Sequence, residues 1–401
     1  MTKLVRYAVI LLSFSFSFGI LTAAPDSLFK DKDIIVKNLG TQVNSPGNDY
    51  GPTITANGKT LYFTSDRKGG IGGHDFWSTM QNEDSTWTPA VDAGSSINLP
   101  SVDQGVSSLA ADGQTIYFSG CNRPDGMGMC DIYEADLNGT EWTNIRNLGP
   151  VVNTEYWEAQ PAISADGKTL YFVSNRPGGL GGTDIWYTTK DANDNWTEPK
   201  DLPAPINSPN DEVSPFIAAD GVTLYFASNR SGGLGGYDFY TSEKTDNGWA
   251  QPANLGAPIN SESDDEFITV PASGDIIYFS SDRNGGLGKL DVWEAFIKPK
   301  PKTVLLVEGR VYDIRTNENL SGHVVYVDST GDTIANMHSN KATGEYSFVL
   351  NIPGGNFKIY CDEPNHIPRN HVIASADETG AVSTCAQGYP DGTPAATSFN
   401  L

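Results

Sequence analysis

The chain is short of positive charge: 26 Lys and Arg stand against 49 Asp and Glu, a formal net charge of −23 over 401 residues. A surface this negative is repelled by phosphate backbones and anionic headgroups, which argues against nucleic-acid and anionic-membrane binding. Histidine is scarce, at five residues, and His74 alone precedes residue 300, so no repeated unit can carry a histidine metal site. The one local grouping of ligand-type residues is Asp362, Glu363, His366 and His371, beside Pro364 and Pro368; it reads as a loop, and no metal or other cofactor is assigned. A Gly-x-Ser-x-Gly elbow and a His-Glu-x-x-His helix are both missing, so no catalytic residue is assigned. Beyond the first two dozen residues no stretch approaches the roughly 18 apolar residues of a membrane helix, so no transmembrane segment is expected in the mature chain. Disorder is excluded as well, because 17 Phe, 17 Tyr and 8 Trp are spread along the sequence. What is abundant is Gly 42 and Pro 24, about one residue in six, which favours a turn-rich all-β protein.

Residues 1–24 carry Lys3 and Arg6, an apolar run from Tyr7 to Leu21, and then Thr22, Ala23 and Ala24. This is the three-part pattern of a secretory signal, to be set aside from the fold; an uncleaved anchor is the alternative. Export fits the cysteines. Cys121 and Cys130 flank a predicted hairpin loop and would form a disulfide in an oxidising compartment, with two buried thiols as the alternative; Cys361 and Cys385 are a second candidate pair.

One unit recurs five times, as in ADGKTLYFVSNRPGGLGGTDIW (165–186) and ADGVTLYFASNRSGGLGGYDFY (219–240). Arg67, Arg123, Arg176, Arg230 and Arg283 mark the period, as do Asp75, Asp131, Asp184, Asp238 and Asp291. A fixed period of this length signals an array of one supersecondary unit. Within it an Asp-Gly turn leads into an apolar, aromatic second strand, a Gly-rich loop returns the chain into a third, and a polar turn precedes the fourth. Four-stranded sheets repeated radially make a propeller. A fourth-strand copy at 34–45 precedes the first full unit, and the last stops after its third strand at Phe296. If the N-terminal piece completes the blade of Trp293, the ring closes at five blades; six would need a further copy.

The pattern Ala-Asp-Gly-x-Thr-Leu-Tyr-Phe-x-Ser-Asn-Arg, followed by an Asp-Ile-Trp strand, resembles the TolB-like, WD-repeat-like propeller repeat of bacterial envelope proteins, over residues 30–296. After a Pro/Lys linker at 297–303, residues 304–380 resemble a carboxypeptidase-regulatory-like, transthyretin-type β-sandwich. That likeness rests on Val307, Gly309, Val311 and Asp313, on Val325 and Asp328, and on Thr343, Gly344, Glu345, Tyr346 and Phe348. This order is similar to OmpA-family envelope proteins of the Bacteroidetes type, including a component of their type IX secretion machinery. The resemblance implies an exported, periplasmic or outer-membrane-associated protein, the cell surface being open to it, with envelope or secreted proteins as partners. The sequence given ends in a Gly/Pro/Ser/Thr-rich stretch at 381–401 in place of an OmpA-like domain, so peptidoglycan anchoring is not carried over.

Propeller geometry places two recurrent polar motifs on one face. The loop into each first strand supplies Asp49, Gln104, Glu158, Glu212 and Asp265; the second-to-third connection supplies the five arginines. The pairs form either clamps within or between blades, or a channel mouth that grips a peptide or charged ligand. The Gly-rich loops lack the Lys-Ser/Thr ending of a phosphate cradle, so glycine is expected to serve left-handed turns. Acidic runs at 263–266 and 191–194 read as solvated turns, not calcium loops. The leading expectation is a non-enzymatic envelope scaffold for protein partners. The alternative is a propeller that binds or hydrolyses glycans or peptides, with Tyr50, Tyr156, Trp157 and Tyr237 available to stack on sugars.

Overall fold

The computed structural model describes residues 8–15, 34–297, 304–313, 318–327, 333–351, 358–362, 374–376 and 382–384. Among them there is no α-helix, and none long and apolar enough to cross a membrane. Residues 34–297 form a five-bladed β-propeller. Blade 1 is built from Asp49–Ile54, Thr60–Ser65, Asp75–Met80 and Val91–Asp92, paired in that order from the centre outward. Blades 2, 3 and 4 repeat the plan from inner strands Asp103–Leu109, Glu158–Ile163 and Glu212–Ile217. Blade 5 takes Asp265–Thr269, Ile276–Ser281 and Asp291–Phe296 from the end of the array, and its outer strand, Val36–Asn38, from the beginning. Lys37 lies opposite Glu294 in that ladder, and their side chains meet at 3.2 Å. The ring therefore closes at five, with the N-terminal piece completing the blade of Trp293.

The apolar runs form these strands because both blade faces are buried between neighbours. Phe63, Phe118, Phe172, Phe226 and Phe279, one from each second strand, are fully enclosed. At about 25 cal/mol per Å², each such side chain contributes roughly 1.5–3 kcal/mol.

The C-terminal strands contribute to two three-stranded sheets and form a two-stranded ladder, Ala374–Ala376 with Val382–Thr384. Val304–Asp313 is central in one, beside Glu345–Asn351, and His323–Val327 is central in the other, between Thr333–His338 and Lys358–Asp362. The third strand of the first sheet is Ala8–Ser15, running antiparallel with Ala8 opposite Asp313 and Ser15 opposite Leu306. Sequence reading set this apolar segment aside; an open sheet edge, with its row of unpaired N–H and C=O groups, accepts such a run as a ladder. The linker at 298–303, the tail from 385, Cys385 and the His366/His371 grouping lie outside the described residues.

These sheets cover one end of the propeller. Asn57 donates to Glu308 at 2.8 Å, Ser347 to the Ala111 carbonyl at 3.2 Å and Asn340 to the Gly139 carbonyl at 3.0 Å. Val349 joins the inner strands in lining the central channel. The mouth at the opposite end carries the two polar motifs.

Candidate binding face

The motif arginines and acids meet, but below the surface. In blade 4 the Arg230 guanidinium reaches Glu212 at 2.9 Å, the Ile206 carbonyl at 2.5 Å and, through Nε, Ser228 Oγ at 3.2 Å. Glu212 also accepts from the Ser208 N–H at 2.6 Å, Ser208 Oγ at 2.7 Å and Ser228 Oγ at 2.8 Å. Blade 3 repeats this with Arg176 and Glu158 at 3.1 Å, and blade 5 with Arg283 and Asp265 at 2.5 Å. In blade 1 Arg67 pairs with Asp49 and the Val43 carbonyl. All four carboxylates are 0% exposed. Each arginine also lies over aromatic rings of its blade, as Arg230 does over Phe226 and Tyr240, both at 5.0 Å. The carboxylate belongs to the arginine's own blade, and the carbonyl to the linker arriving from the preceding blade. The clamp thus fastens each of these four blades to its incoming chain.

Blade 2 keeps Arg123 but replaces both partners. Gln104 takes the place of the carboxylate and accepts from Arg123 Nη1 at 3.3 Å; Cys121 takes the place of the serine and is disulfide-bonded to Cys130.

Two further devices tighten the ring. The asparagine in each interblade linker forms a pair of hydrogen bonds with one residue of a third strand: Asn207 with Ile185 N and O at 3.0 and 2.9 Å, Asn260 with Phe239 at 2.8 and 3.0 Å. Asn98, Asn153 and Asn44 do the same with Phe76, Ile132 and Val292, the last across the ring closure. Recurrence at the Ile-Asn-Ser position was the available signal for this role. The Gly-rich loop, in turn, wraps the third-strand aspartate: in blade 1 the amides of Ile71 and Gly72 donate to Asp75 at 2.6 and 2.9 Å. Burial pushes the pKa of Asp75, Asp131, Asp184 and Asp238 up, against those amide bonds. Gly232 has the expected left-handed φ of 98°, but Gly235 is needed for contact, since a Cβ there would sit 2.0 Å from the Ser263 carbonyl of the next linker.

Among the described residues nothing covers the opposite mouth, and what it offers a ligand is a second set of residues. Tyr50 packs edge-on against His74, with centroids 5.9 Å apart, and against Phe267 at 5.7 Å; Phe267 lines the channel. The Tyr237 amide donates to Asp264 at 3.0 Å and His74 Nδ1 lies 3.2 Å from Asp103. Burial, followed by the charges of Asp211, Glu266 and Asp264, pushes the Tyr237 phenol up to about 12. Burial and the charges of Asp103 and Asp66 raise Tyr50. Glu266 is lifted to about 7 by burial and then by Asp264, Asp282 and Asp265. Asp66 and Asp282 are exposed, Asp103, Asp211 and Asp264 partly so. Trp157 and Tyr237 pack partly buried at the edge of the core, and Tyr156 is exposed. Outside the mouth stand the tips of the Gly-rich loops, Met127, Leu180, Leu234 and Leu287, each 45–52% exposed. Among the described residues no three His, Cys, Asp or Glu side chains group as metal ligands.

No protein-family model matches this chain, and no curated protein does. Among solved structures, TolB from Acinetobacter baumannii is similar over 65% of this chain at 15% identity, with TM-score 0.40. The chain spans 57% of that TolB's length. The exo-β-1,3-galactanase 1,3Gal43A from Clostridium thermocellum is similar over 81% of each chain, at 13% identity and TM-score 0.44. GH43B of the Bacteroides ovatus xyloglucan PUL is similar over 85% of this chain and 62% of its own, at 14% identity and TM-score 0.42. At these values the likenesses carry no activity or ligand over to this chain.

Proposed function

We propose that this is an exported cell-envelope protein whose propeller binds a neutral carbohydrate at its uncovered mouth. The observation that carries the reading is the joint presence there of aromatic faces, Tyr50, Phe267 and Tyr237, and part-exposed carboxylates that only accept hydrogen bonds. A sugar presents apolar C–H faces to rings and hydroxyl donors to carboxylates. The carboxylates around the mouth disfavour uronates and phosphates at that site. The channel itself holds a cavity of about 80 Å³. At about 30 Å³ per water that is room for only a few waters, so the ligand rests at the mouth instead of threading through. The motif clamps hold the scaffold beneath it. In this reading the C-terminal sheets, as a transthyretin-type sandwich, stop the far end.

The test is calorimetric titration with neutral gluco-, galacto- and xylo-oligosaccharides beside uronate-bearing ones. Binding of a neutral series, weakened at least tenfold by Tyr50→Ala, is expected. Absence of binding across the panel would overturn the reading. A second reading, docking of a protein partner, is favoured by the ring of exposed aliphatic loop tips. Its test is affinity capture from gently solubilised envelopes with wild type and a Leu180→Ser/Leu234→Ser variant; reproducible partners lost in the variant would support it.

A further inference from the structure

Blade 2 differs from its siblings at positions that converge on one guanidinium. In the other four blades the arginine meets a carboxylate, a serine hydroxyl and a linker carbonyl. Arg123 has the 3.3 Å bond to Gln104 and ring contacts to Tyr133 and Phe118 at 4.7 and 5.6 Å. Its Nε is buried with no acceptor, and so is Nε2 of Gln104, a side chain 0% exposed. Asp125 acts on Arg123 through its charge, but its carboxylate accepts from the Tyr133 hydroxyl at 3.1 Å and forms no ion pair with the guanidinium. Of the five motif arginines, Arg123 alone has no ion pair. Meanwhile the Cys121–Cys130 disulfide staples the second strand of this blade to the third.

We propose that Arg123 and Gln104 form a binding site for a ligand carboxylate, entered through the exposed loop at 122–127. At the four equivalent places the guanidinium holds a carboxylate; in blade 2 the neutral Gln104 fills that place and leaves the charge of Arg123 unmatched, so the ligand carboxylate meets the guanidinium from the loop side. Two buried donors without acceptors carry a desolvation cost that such a group removes. A half-buried guanidinium without a direct ion-pair partner adds to that cost, and burial lowers the pKa of Arg123, against the more distant charge of Asp125. Met127 in that loop and Met129 just after it, 47% and 70% exposed, offer contact to the carbon part of the ligand. This site is independent of the carbohydrate reading of the mouth.

The test is titration of the full, oxidised chain with glucuronate and with the capped peptide acetyl-Ala-Asp-Ala-amide. The uncharged peptide acetyl-Ala-Asn-Ala-amide and ionic-strength-matched NaCl serve as controls. Saturable binding of either carboxylate is expected; glucuronate alone identifies a sugar acid, the peptide alone an acidic side chain. Arg123→Gln should weaken binding at least tenfold. Gln104→Glu should do the same while raising Tm, because it supplies the carboxylate from within, and this variant decides the matter if Arg123→Gln fails to fold. Lack of binding by wild type, or undiminished binding by Gln104→Glu, would refute the site.

Discussion

Replacing Glu212 by Gln removes one charge from a four-partner node and should cost about 3–5 kcal/mol, the usual penalty for leaving a buried charge without its partner. The structure accounts for the size. The carboxylate is 0% exposed and accepts from the Arg230 guanidinium, two hydroxyls and the Ser208 amide. An amide in its place keeps one acceptor but turns a donor toward the Ser208 N–H, so a 2.6 Å bond is lost and Arg230 is left uncompensated. Blade 2 shows the outcome of that exchange, in a blade that also has a covalent staple. Urea unfolding at pH 7, followed by tryptophan fluorescence, measures the cost. The double variant Glu212→Gln/Arg230→Met should be at least about 2 kcal/mol more stable than the sum of the single effects, since it removes the stranded charge along with its partner. A single-variant cost below about 1 kcal/mol, or strict additivity, would show that the clamp does not hold the blade.

Four further outcomes follow from the geometry. Glu266 has a folded pKa of about 7 against roughly 4.3 in the unfolded chain, so the folded state holds its proton more tightly. Its contribution is most favourable below pH 4, declines as pH rises and is lost above 7; Glu266→Gln should therefore stabilise the protein at pH 8 by up to about 3 kcal/mol and change little at pH 4, read by urea midpoints at both. Cys121→Ser/Cys130→Ser should lower stability by about 2.6 kcal/mol, from the closure entropy of a loop this short, and unfolding curves in dithiothreitol should erase the difference from wild type. Asn207→Ala leaves the Ile185 amide and carbonyl unpaired, so a loss of about 2 kcal/mol and faster hydrogen exchange at Ile185 are expected. Gly235→Ala should destabilise by more than Gly256→Ala in thermal melts, because the first drives a Cβ into the Ser263 carbonyl while the second meets open space and incurs only the left-handed φ penalty.

The ring was legible in the sequence because a blade is a local unit: its turn, its aromatic strand and its Arg and Asp sit within a single period, and the missing outer strand of blade 5 had its copy at 34–45. The Arg–carboxylate pairing was legible as an alternative, since both motifs emerge on one face. Its depth was not, because burial of Glu212 depends on Ser208 and Ser228 closing over it from two other segments. The glycines show the same limit. Gly232 follows from backbone preference alone, whereas Gly235 is fixed by the carbonyl of Ser263 in the next linker. The raised pKa of Glu266 is likewise a product of neighbours brought in by tertiary structure, and so is the placement of Ser347 and Val349 under the channel.

The latch of blade 5 has a consequence for how the chain is made. Lys37 and Glu294 meet across 257 residues, an interval that a ribosome adding 5–20 residues per second takes roughly 13–50 s to cover. Throughout that time Val36–Asn38 has no ladder to join, while blades 1 to 4 emerge in turn, each able to pack on the one before. The first strand of the propeller to be synthesised is thus among the last to dock, and the propeller remains an open arc with two raw edges until the strand ending at Phe296 is available. Any chaperone that attends this protein has its task set by that interval: to keep one short N-terminal strand unpaired and soluble until its blade arrives.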